Sequence, residues 1–318
     1  MKKEKLKISR LAAAMASSVL ILCAIYSGVR YFNPLDTSQY IYEEGNFVQP
    51  GGKGSASPTL VSGIDGELPT SPSVAEPGCT SKTVTKDDIF KGKLVPYKND
   101  MTVIADKSED SVNLAMYKND CYSTLGDNFP LNKDAADGFN NMMKAYNEAT
   151  NLTDFAIYGT DATLTGAGSP CPIPFADSKT GNTVDVAIVG SSSIIAYDGD
   201  DAEKWVVDNC SDYGYIVRYP QGKTEITGEE YYPWHLRYVG KPHAMIMKAN
   251  NWCLEEYVSY VKGYTRENPI VCNTNDRTYE IYSVPSNSDV TYLSVPLSGN
   301  YEISGDGSTG YIITIEKK

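Results

Sequence analysis

The residue types that bind metals or transfer protons are sparse in this sequence. Its 318 residues include two histidines, His235 in PWHLRYVG and His243 in KPHA, and seven cysteines. No two cysteines have the CxxC spacing of a zinc clip or redox motif. The acidic run Asp198–Glu203 lacks the spacing of an EF-hand loop and is interpreted as a solvated helix start. We interpret His243 as structural, which leaves His235 as the histidine that could do chemistry.

The segment around His235 resembles a known family. The run YGYIVRYPQGKTEITGEEYYPWHLRYVGKPHA, Tyr213 to Ala244, and LEEYV at Leu254–Val258 are similar to the VanY-type D-alanyl-D-alanine carboxypeptidases. These are zinc peptidases of family M15, subfamily B, which trim peptidoglycan stem peptides. The resemblance extends from about Leu94 to Tyr264 and is specific in its second half. It implies an α+β, Hedgehog/DD-peptidase-like fold with a zinc site.

That zinc site can be placed residue by residue on the sequence. In the family, a His, an Asp seven residues later and a distant His after Pro-Trp bind one zinc ion. Three protein ligands leave the fourth position to a water molecule whose pKa the metal lowers. Asp185 and His235 match the second and third ligands. Ser178, seven residues before Asp185, stands where the first His belongs, and a neutral hydroxyl is a weak zinc ligand.

The positions for the catalytic base and the substrate also differ from the family. The family has a Glu before Pro-Trp-His as general base, but Tyr232 stands there. A phenol with an unperturbed pKa of about 10 does not accept a proton at neutral pH. The family Arg that binds the substrate carboxylate aligns with Asp161, so an anion stands where a cation is needed. The resemblance predicts one pocket lined by Ser178, Asp185, Tyr232 and His235.

Two interpretations of these remnant residues stay open. Asp185 and His235 could form a hydrogen-bonded pair that positions two strands, in which case no cofactor is expected; we favour this over metal binding. Alternatively, the site could have been rebuilt around zinc. Asp177 or Cys171 would then supply the missing ligand, and Glu230 would replace the base from the same face of an extended strand.

The N-terminal sequence predicts a membrane anchor. Lys2, Lys3, Lys5, Lys7 and Arg10 precede an uncharged run, 11–29, that is long enough to span a bilayer. Positive charge before the span predicts a cytoplasmic tail (1–10), a transmembrane anchor (11–29) and an extracytoplasmic remainder at the cell membrane. A cleaved signal peptide is the alternative. The net charge of −12 argues against nucleic acid as a partner.

Changes in composition divide the remainder into three regions. Residues 30–86 are rich in Pro, Gly and Ser and predict a flexible stalk. Residues 87–264 mix helical and strand patterns, as in an α+β carboxypeptidase-like domain. Residues 265–318 contain short alternating runs separated by turn residues, which predict a small C-terminal β module. Cys210 and Cys253, each on a predicted helix, are the candidate disulfide pair in an oxidising compartment.

Apolar periodicity predicts the elements that carry these residues. Helices are predicted at Asp134–Thr150, Asp201–Asp212 and Ala244–Lys262. Strands are predicted at Lys93–Tyr97, Met101–Ala105, Phe155–Tyr158, Val184–Val189, Tyr215–Tyr219, a segment ending in WHLRYVG, and the runs TYEIYSV, VTYLSVPL, NYEIS and GYIITIE.

Two functions from different classes follow from this sequence. The first is a membrane-anchored, extracytoplasmic D-alanyl-D-alanine carboxypeptidase-like protein that is catalytically inactive and acts as a cell-wall peptide-binding or scaffold module. The alternative is an active zinc D,D- or L,D-carboxypeptidase that trims stem peptides with substituted ligands. Whether the chain is an enzyme therefore depends on its zinc site.

Overall fold

The computed structural model describes residues 41–43, 46–48, 78–98, 110–158, 175–190, 193–200, 203–275, 277–286 and 288–317. The chain forms two units, one of Met1–Ser73 with Asn273–Asp276 and one of Val74–Cys272 with Arg277–Lys318. In the first, β1 (Ile41–Glu43) pairs with β2 (Asn46–Val48) in antiparallel orientation. No helix among the described residues is long and apolar enough to cross a bilayer, and the predicted anchor 11–29 lies outside those residues.

The second unit combines a mixed sheet, several helices and a set of C-terminal strands. The further strands are β3 (Cys79–Thr85), β4 (Val112–Asn113), β5 (Ser123–Thr124), β6 (Pro130–Leu131), β7 (Phe155–Ile157), β8 (Thr183–Val189), β9 (Ile194–Ala196), β10 (Tyr215–Tyr219), β11 (Tyr232–Tyr238), β12 (Ile270–Asn273), β13 (Thr278–Pro285), β14 (Val290–Pro296), β15 (Tyr301–Gly305) and β16 (Gly310–Lys317). The helices are α1 (Leu114–Tyr117), α2 (Lys133–Thr150), α3 (Lys204–Asn209), α4 (Thr224–Thr227), α5 (Lys241–Asn250) and α6 (Leu254–Val261).

A six-stranded sheet with α2 against it forms the larger core. The strand order is β10-β11-β8-β7-β5, with β9 also paired to β8, and only β5 and β7 run parallel. The apolar residues of α2 recur at helical intervals, so they lie on one face and are buried. Phe139 and Tyr146 of this face contact Tyr215 and Phe155 of the sheet edge-on. The buried residues of α2 are Ala135, Ala136, Phe139, Met142, Met143 and Tyr146.

Most of the predicted elements are confirmed, but the helix predicted at Ala244–Lys262 is wrong because two helices occupy its place. Asn251 adopts the left-handed conformation, with φ 54°, and ends α5. Cys253 then starts α6, where its backbone N–H donates to the Glu256 carboxylate over 2.8 Å. Apolar periodicity continues across both helices, and the break depends on the conformation of one Asn.

A second sheet lies at the C-terminal end of the unit. Its order is β12-β13-β16-β15, and the separate pair β3-β14 packs against it around a core that includes Val84, Tyr282, Leu293 and Ile313. The stalk predicted at 30–86 is therefore wrong for Cys79–Thr85, which pairs with β14 over its whole length. Apolar periodicity does not predict this strand of Thr, Ser and Lys, because its edge position makes little use of apolar side chains.

Two further predictions also fail in this unit. Lys93–Tyr97 is not a strand, because the Val95 N–H bonds locally to the Gly92 carbonyl and side chains bind other carbonyls of this segment. Cys210 and Cys253 are both free thiols, so the predicted disulfide is wrong. The Cys210 thiol instead lies 3.8 Å from the Val207 carbonyl of α3, the helix that ends just before it. Met101–Ala105 lies outside the described residues.

Gly305→Ala is expected to destabilise the protein by about 2 kcal/mol, because this glycine packs directly on backbone. A Cβ at Gly305 would lie 1.9 Å from the Ile89 carbonyl oxygen. The Gly305 N–H also donates to the Lys91 carbonyl over 2.7 Å, and this bond holds the Gly305 backbone close to the segment Asp88–Lys91. Urea unfolding would measure the change. Gly263→Ala is the matched control, since its Cβ would make an ordinary 3.5 Å contact; equal effects of the two substitutions would refute the packing argument.

Candidate functional site

His235 and Asp185 lie on neighbouring strands of the larger sheet. β11 and β8 are antiparallel, and their register sets the two Cα atoms opposite each other. Side chains at opposed positions point to the same face, so the two groups meet directly. The distance from His235 Nδ1 to Asp185 Oδ1 is 2.6 Å, and both residues are buried. The hydrogen-bonded pair considered for these residues is thus the arrangement in the structure.

Asp177 binds the other side of the same imidazole. It comes from the 3₁₀ turn Ala176–Thr180, just before β8, and its Oδ1 lies 3.0 Å from His235 Nε2. Its Oδ2 accepts a hydrogen bond from Arg237 over 3.0 Å, and Arg218 Nε is 3.9 Å away. Both ring nitrogens therefore face carboxylates. Because a carboxylate accepts rather than donates, this arrangement favours an imidazolium with a proton on each nitrogen.

The electrostatics of the cluster agree with that protonation state. Burial alone would disfavour the charged imidazole, but the charges of Asp177 and Asp185 outweigh it and raise the pKa of His235 to about 9. Burial alone would raise the pKa of Asp177, but the positive charges of His235, Arg237 and Arg218 outweigh burial and lower it. For Asp185, burial dominates and raises the pKa. Asp177 is thus the carboxylate on which the surrounding positive charges converge.

The ion pairs extend from Asp177 to distant segments. Arg218 of β10 binds the Glu255 carboxylate of α6 through two hydrogen bonds of 2.6 and 3.1 Å. Arg237 of β11 also donates to the Lys93 carbonyl over 3.3 Å. Both guanidinium groups are almost fully buried. The cluster joins the central strands to α6 and to the segment before the first helix.

Aromatic rings enclose the buried imidazole. The Phe175 ring centroid lies 4.4 Å from that of His235, and Tyr219 stacks on the same imidazole at 5.6 Å. Tyr232 packs on Phe175 with a centroid distance of 5.3 Å and is half-buried. Burial raises the pKa of the Tyr232 phenol further, so this group stays protonated at neutral pH. These rings fill the space beside His235 with apolar surface.

The remaining predicted site residues do not join the cluster. The Ser178 side chain makes no hydrogen bond to His235 or Asp185 within the described part of the chain; its backbone N–H donates to the Phe175 carbonyl. Glu230 is exposed. Asp161 and Cys171 lie outside the described residues. The predicted pocket of Ser178, Asp185, Tyr232 and His235 thus brings together Asp185 and His235 directly, with Tyr232 in the aromatic layer around them.

These residues do not fit a zinc ion. Metal coordination needs a free imidazole nitrogen, yet both nitrogens of His235 are hydrogen-bonded to carboxylates. The Asp177 carboxylate is also neutralised by the Arg237 guanidinium. Across the described ranges, no three His, Cys, Asp or Glu side chains are arranged to hold a metal ion. No step of a reaction through zinc follows from this geometry.

Comparison with known proteins identifies the family. Residues 176–241 match the family model for VanY, D-alanyl-D-alanine carboxypeptidase. A D-alanyl-D-alanine carboxypeptidase of Enterococcus faecium is 33% identical over 248 residues, which cover 74% of this chain and 78% of that protein. The bifunctional D-Ala-D-Ala dipeptidase and carboxypeptidase VanXYC of Enterococcus gallinarum is 53% identical over 55 residues, 17% of this chain and 29% of that one.

A solved structure shares the fold. The vancomycin-resistance D,D-dipeptidase VanXYg, crystallised with a D-Ala-D-Ala phosphinate analogue, matches with a TM-score of 0.62 and 23% identity. The match covers 75% of this chain and 99% of that one. The α+β, Hedgehog/DD-peptidase-like fold implied by the sequence is therefore confirmed. With the Enterococcus faecium relative matched over most of its length, the chain belongs to the VanY family of D-alanyl-D-alanine carboxypeptidases.

Proposed function

We propose that this protein is a non-catalytic member of its family that acts as a cell-wall peptide-binding or scaffold module. One observation carries the proposal: both nitrogens of His235 are held by carboxylates, 2.6 Å from Asp185 and 3.0 Å from Asp177. An imidazole in this state cannot bind a metal without losing a proton and breaking one of these bonds. The zinc-bound water on which the family's hydrolysis depends then has no site.

The position of the general base supports the same proposal independently. Tyr232 stands where the family has a Glu, and burial raises the pKa of its phenol. Loss of general-base help alone typically reduces a rate by 10²- to 10⁴-fold. Because zinc capture and proton transfer are separate functions, neither loss compensates for the other.

The same proposal includes a location outside the cytoplasm. An uncharged run at 11–29 follows a positively charged start, and this order favours an anchor with the folded units on the outer side of the membrane. Stem peptides and the glycan of the cell wall are accessible there. Protease added to intact cells should remove the folded part, whereas full protection in cells with a permeable envelope would contradict this topology.

We expect the purified full-length protein to contain no stoichiometric zinc and to release no D-alanine from a pentapeptide stem, even with zinc added. Metal analysis and a D-alanine assay would measure both. A double variant, Ser178→His with Tyr232→Glu, tests whether the missing groups are the cause, and each single variant is its control. Zinc-dependent cleavage by the unmodified protein would overturn the proposal.

An active zinc carboxypeptidase with substituted ligands is the second candidate. The position of Asp177 favours it, because this carboxylate already lies 3.0 Å from His235 Nε2 and could replace the missing ligand after the imidazole loses its proton. If the unmodified protein cleaves the pentapeptide, Asp177→Asn should then abolish zinc binding. Asp208→Asn, on the exposed surface of α3, would be the matched control.

A further inference from the structure

An open groove lies between the C-terminal sheet and the end of β11. Two adjoining cavities of about 580 and 320 Å³ share Lys93, Asp134, Tyr238 and Glu302 in their walls. One wall comes from β13, β15 and β16, and the other from the end of β11 and the start of α5. The volume is in the range of sites for small ligands. The groove is separate from the buried His235 cluster and is not used in the proposed function.

The walls of the groove are fixed by bonds between the two sides. Lys93 binds the Glu302 carboxylate over 2.5 Å across the groove. Thr314 of β16, which lines the larger cavity, hydrogen-bonds to the buried His243 of α5 over 3.0 Å. A groove held by contacts of this kind is already formed before a ligand arrives, which reduces the entropic cost of binding.

The charges along the larger cavity balance. Three cations, Lys93, Lys241 and Arg277, face three carboxylates, and Lys93 and Arg277 are paired with Glu302 and Glu316. The whole chain carries a net charge of −12, so the neutral lining of this cavity differs from the acidic character of the chain as a whole. Paired charges offer many hydrogen-bond donors and acceptors without attracting an ion. This favours an uncharged ligand with many hydroxyl or amide groups over a phosphate or a polyanion.

Three tyrosines complete the lining. Tyr238, Tyr279 and Tyr301 border the larger cavity, and each is partly exposed. A phenol ring presents a flat apolar face with a polar tip, so it can contact the C–H face of a sugar ring while its hydroxyl bonds to a neighbouring group. Tyrosines beside carboxylates and amides therefore match a carbohydrate better than an apolar molecule.

We propose that this groove binds a neutral glycan segment built from N-acetylated amino sugars. The identity of the glycan rests on the proposed cell-wall function, whereas the preference for an uncharged, hydroxyl-rich ligand rests on the groove itself. The C-terminal sheet then supplies one wall of a glycan site, and the carboxypeptidase-like part supplies the other.

Calorimetric titration of the full-length protein with chitotetraose tests the proposal. Saturable binding is expected, and Tyr279→Ala should weaken it about fivefold, in line with aromatic contacts of about 1 kcal/mol. Glu302→Gln should also weaken binding, because it replaces one accepting carboxylate oxygen in the wall with an NH₂ donor and removes the charge that holds Lys93. The matched control is Tyr292→Ala: this residue is 45% exposed on β14 and lies outside the groove lining. It should leave the affinity unchanged.

A second arm titrates the pentapeptide stem without sugar. No saturable binding of chitotetraose, equal losses in the Tyr279 and Tyr292 variants, or Tyr279-dependent binding of the peptide instead of the sugar would each overturn the proposal. Thermal unfolding of every variant confirms that the fold is intact. Zinc content and D-alanine release are measured separately, so failure of the glycan site is distinguishable from failure of the proposed function.

Discussion

Asp177→Asn is expected to lower the free energy of unfolding by about 3–5 kcal/mol, the usual cost of removing one partner of a buried ion pair. The Asp177 carboxylate accepts from His235 and Arg237, each at 3.0 Å, and the Arg218 guanidinium is 3.9 Å away. An amide keeps the shape of the side chain but cannot balance this positive charge. The buried guanidinium groups cannot neutralise themselves, because arginine stays protonated.

Urea unfolding at neutral pH measures this change. Asp208→Asn is the control, because Asp208 forms an ion pair of similar length, 2.6 Å, with Lys204 on the exposed surface of α3. Exposed pairs contribute at most about 1 kcal/mol. A loss below about 1 kcal/mol for Asp177→Asn would show that the positive charges of His235, Arg237 and Arg218 are balanced in some other way.

His243 is expected to make the protein markedly less stable at acidic pH. His243 is buried between α5, α6 and β16, where Nδ1 lies 2.6 Å from the Tyr257 hydroxyl and Nε2 lies 3.0 Å from the Thr314 hydroxyl. Burial, helped by the charge of Lys93, lowers the pKa of His243 to about 3. The folded state therefore holds this imidazole neutral at a pH where the unfolded chain, with a pKa of about 6.5, takes up a proton.

The sign of the pH dependence follows from that difference. The contribution of His243 to stability is complete above pH 6.5 and is lost as the pH falls towards the folded pKa of about 3. The expected loss is about 1.4 kcal/mol per pH unit, or about 3 kcal/mol between pH 6.5 and pH 4.

Urea unfolding of the natural protein and of His243→Gln at neutral pH and at pH 4 separates this effect from the titration of carboxylates, which both proteins share. The Gln variant should be less stable at neutral pH but should lose about 3 kcal/mol less on acidification. Equal losses in the two proteins would mean that His243 becomes protonated within the fold.

The sequence predicts the regular elements well where one face is buried. Phe139, Met142 and Tyr146 repeat at helical spacing, and Tyr215–Tyr219 is a short β-rich run between turns, so α2 and β10 are confirmed almost to the residue. The division of α5 from α6 depends on the left-handed conformation of Asn251, a local feature that apolar periodicity does not report. β3 is not predicted because, at the edge of its sheet, it buries only one residue and its remaining side chains are mostly polar.

The sequence predicts only part of the candidate site. The match to the family puts Asp185 and His235 together, and their strands are paired in that register. The match also selects Ser178, because the family's spacing of seven residues identifies a position in the sequence but does not say which way the side chain at that position points. The 3₁₀ turn at Ala176–Thr180 directs the neighbouring Asp177 to the imidazole instead. The sequence suggests Asp177 only as a substitute ligand, and no motif in it predicts the ion pairs that Arg218 and Arg237 form.

The pairing of β3 with β14 has a consequence for how this protein is made. The Leu94 N–H donates to Ser304 Oγ, 210 residues further on, and β3 completes its ladder only with Val290–Pro296. Contacts of such high sequence separation form late, because a long chain segment must first be brought together. The ribosome has therefore synthesised nearly the whole unit before β3 can find its partner. A chain truncated before β14 would leave β3 with no ladder partner, and its unpaired N–H and C=O groups would be prone to pair with other molecules.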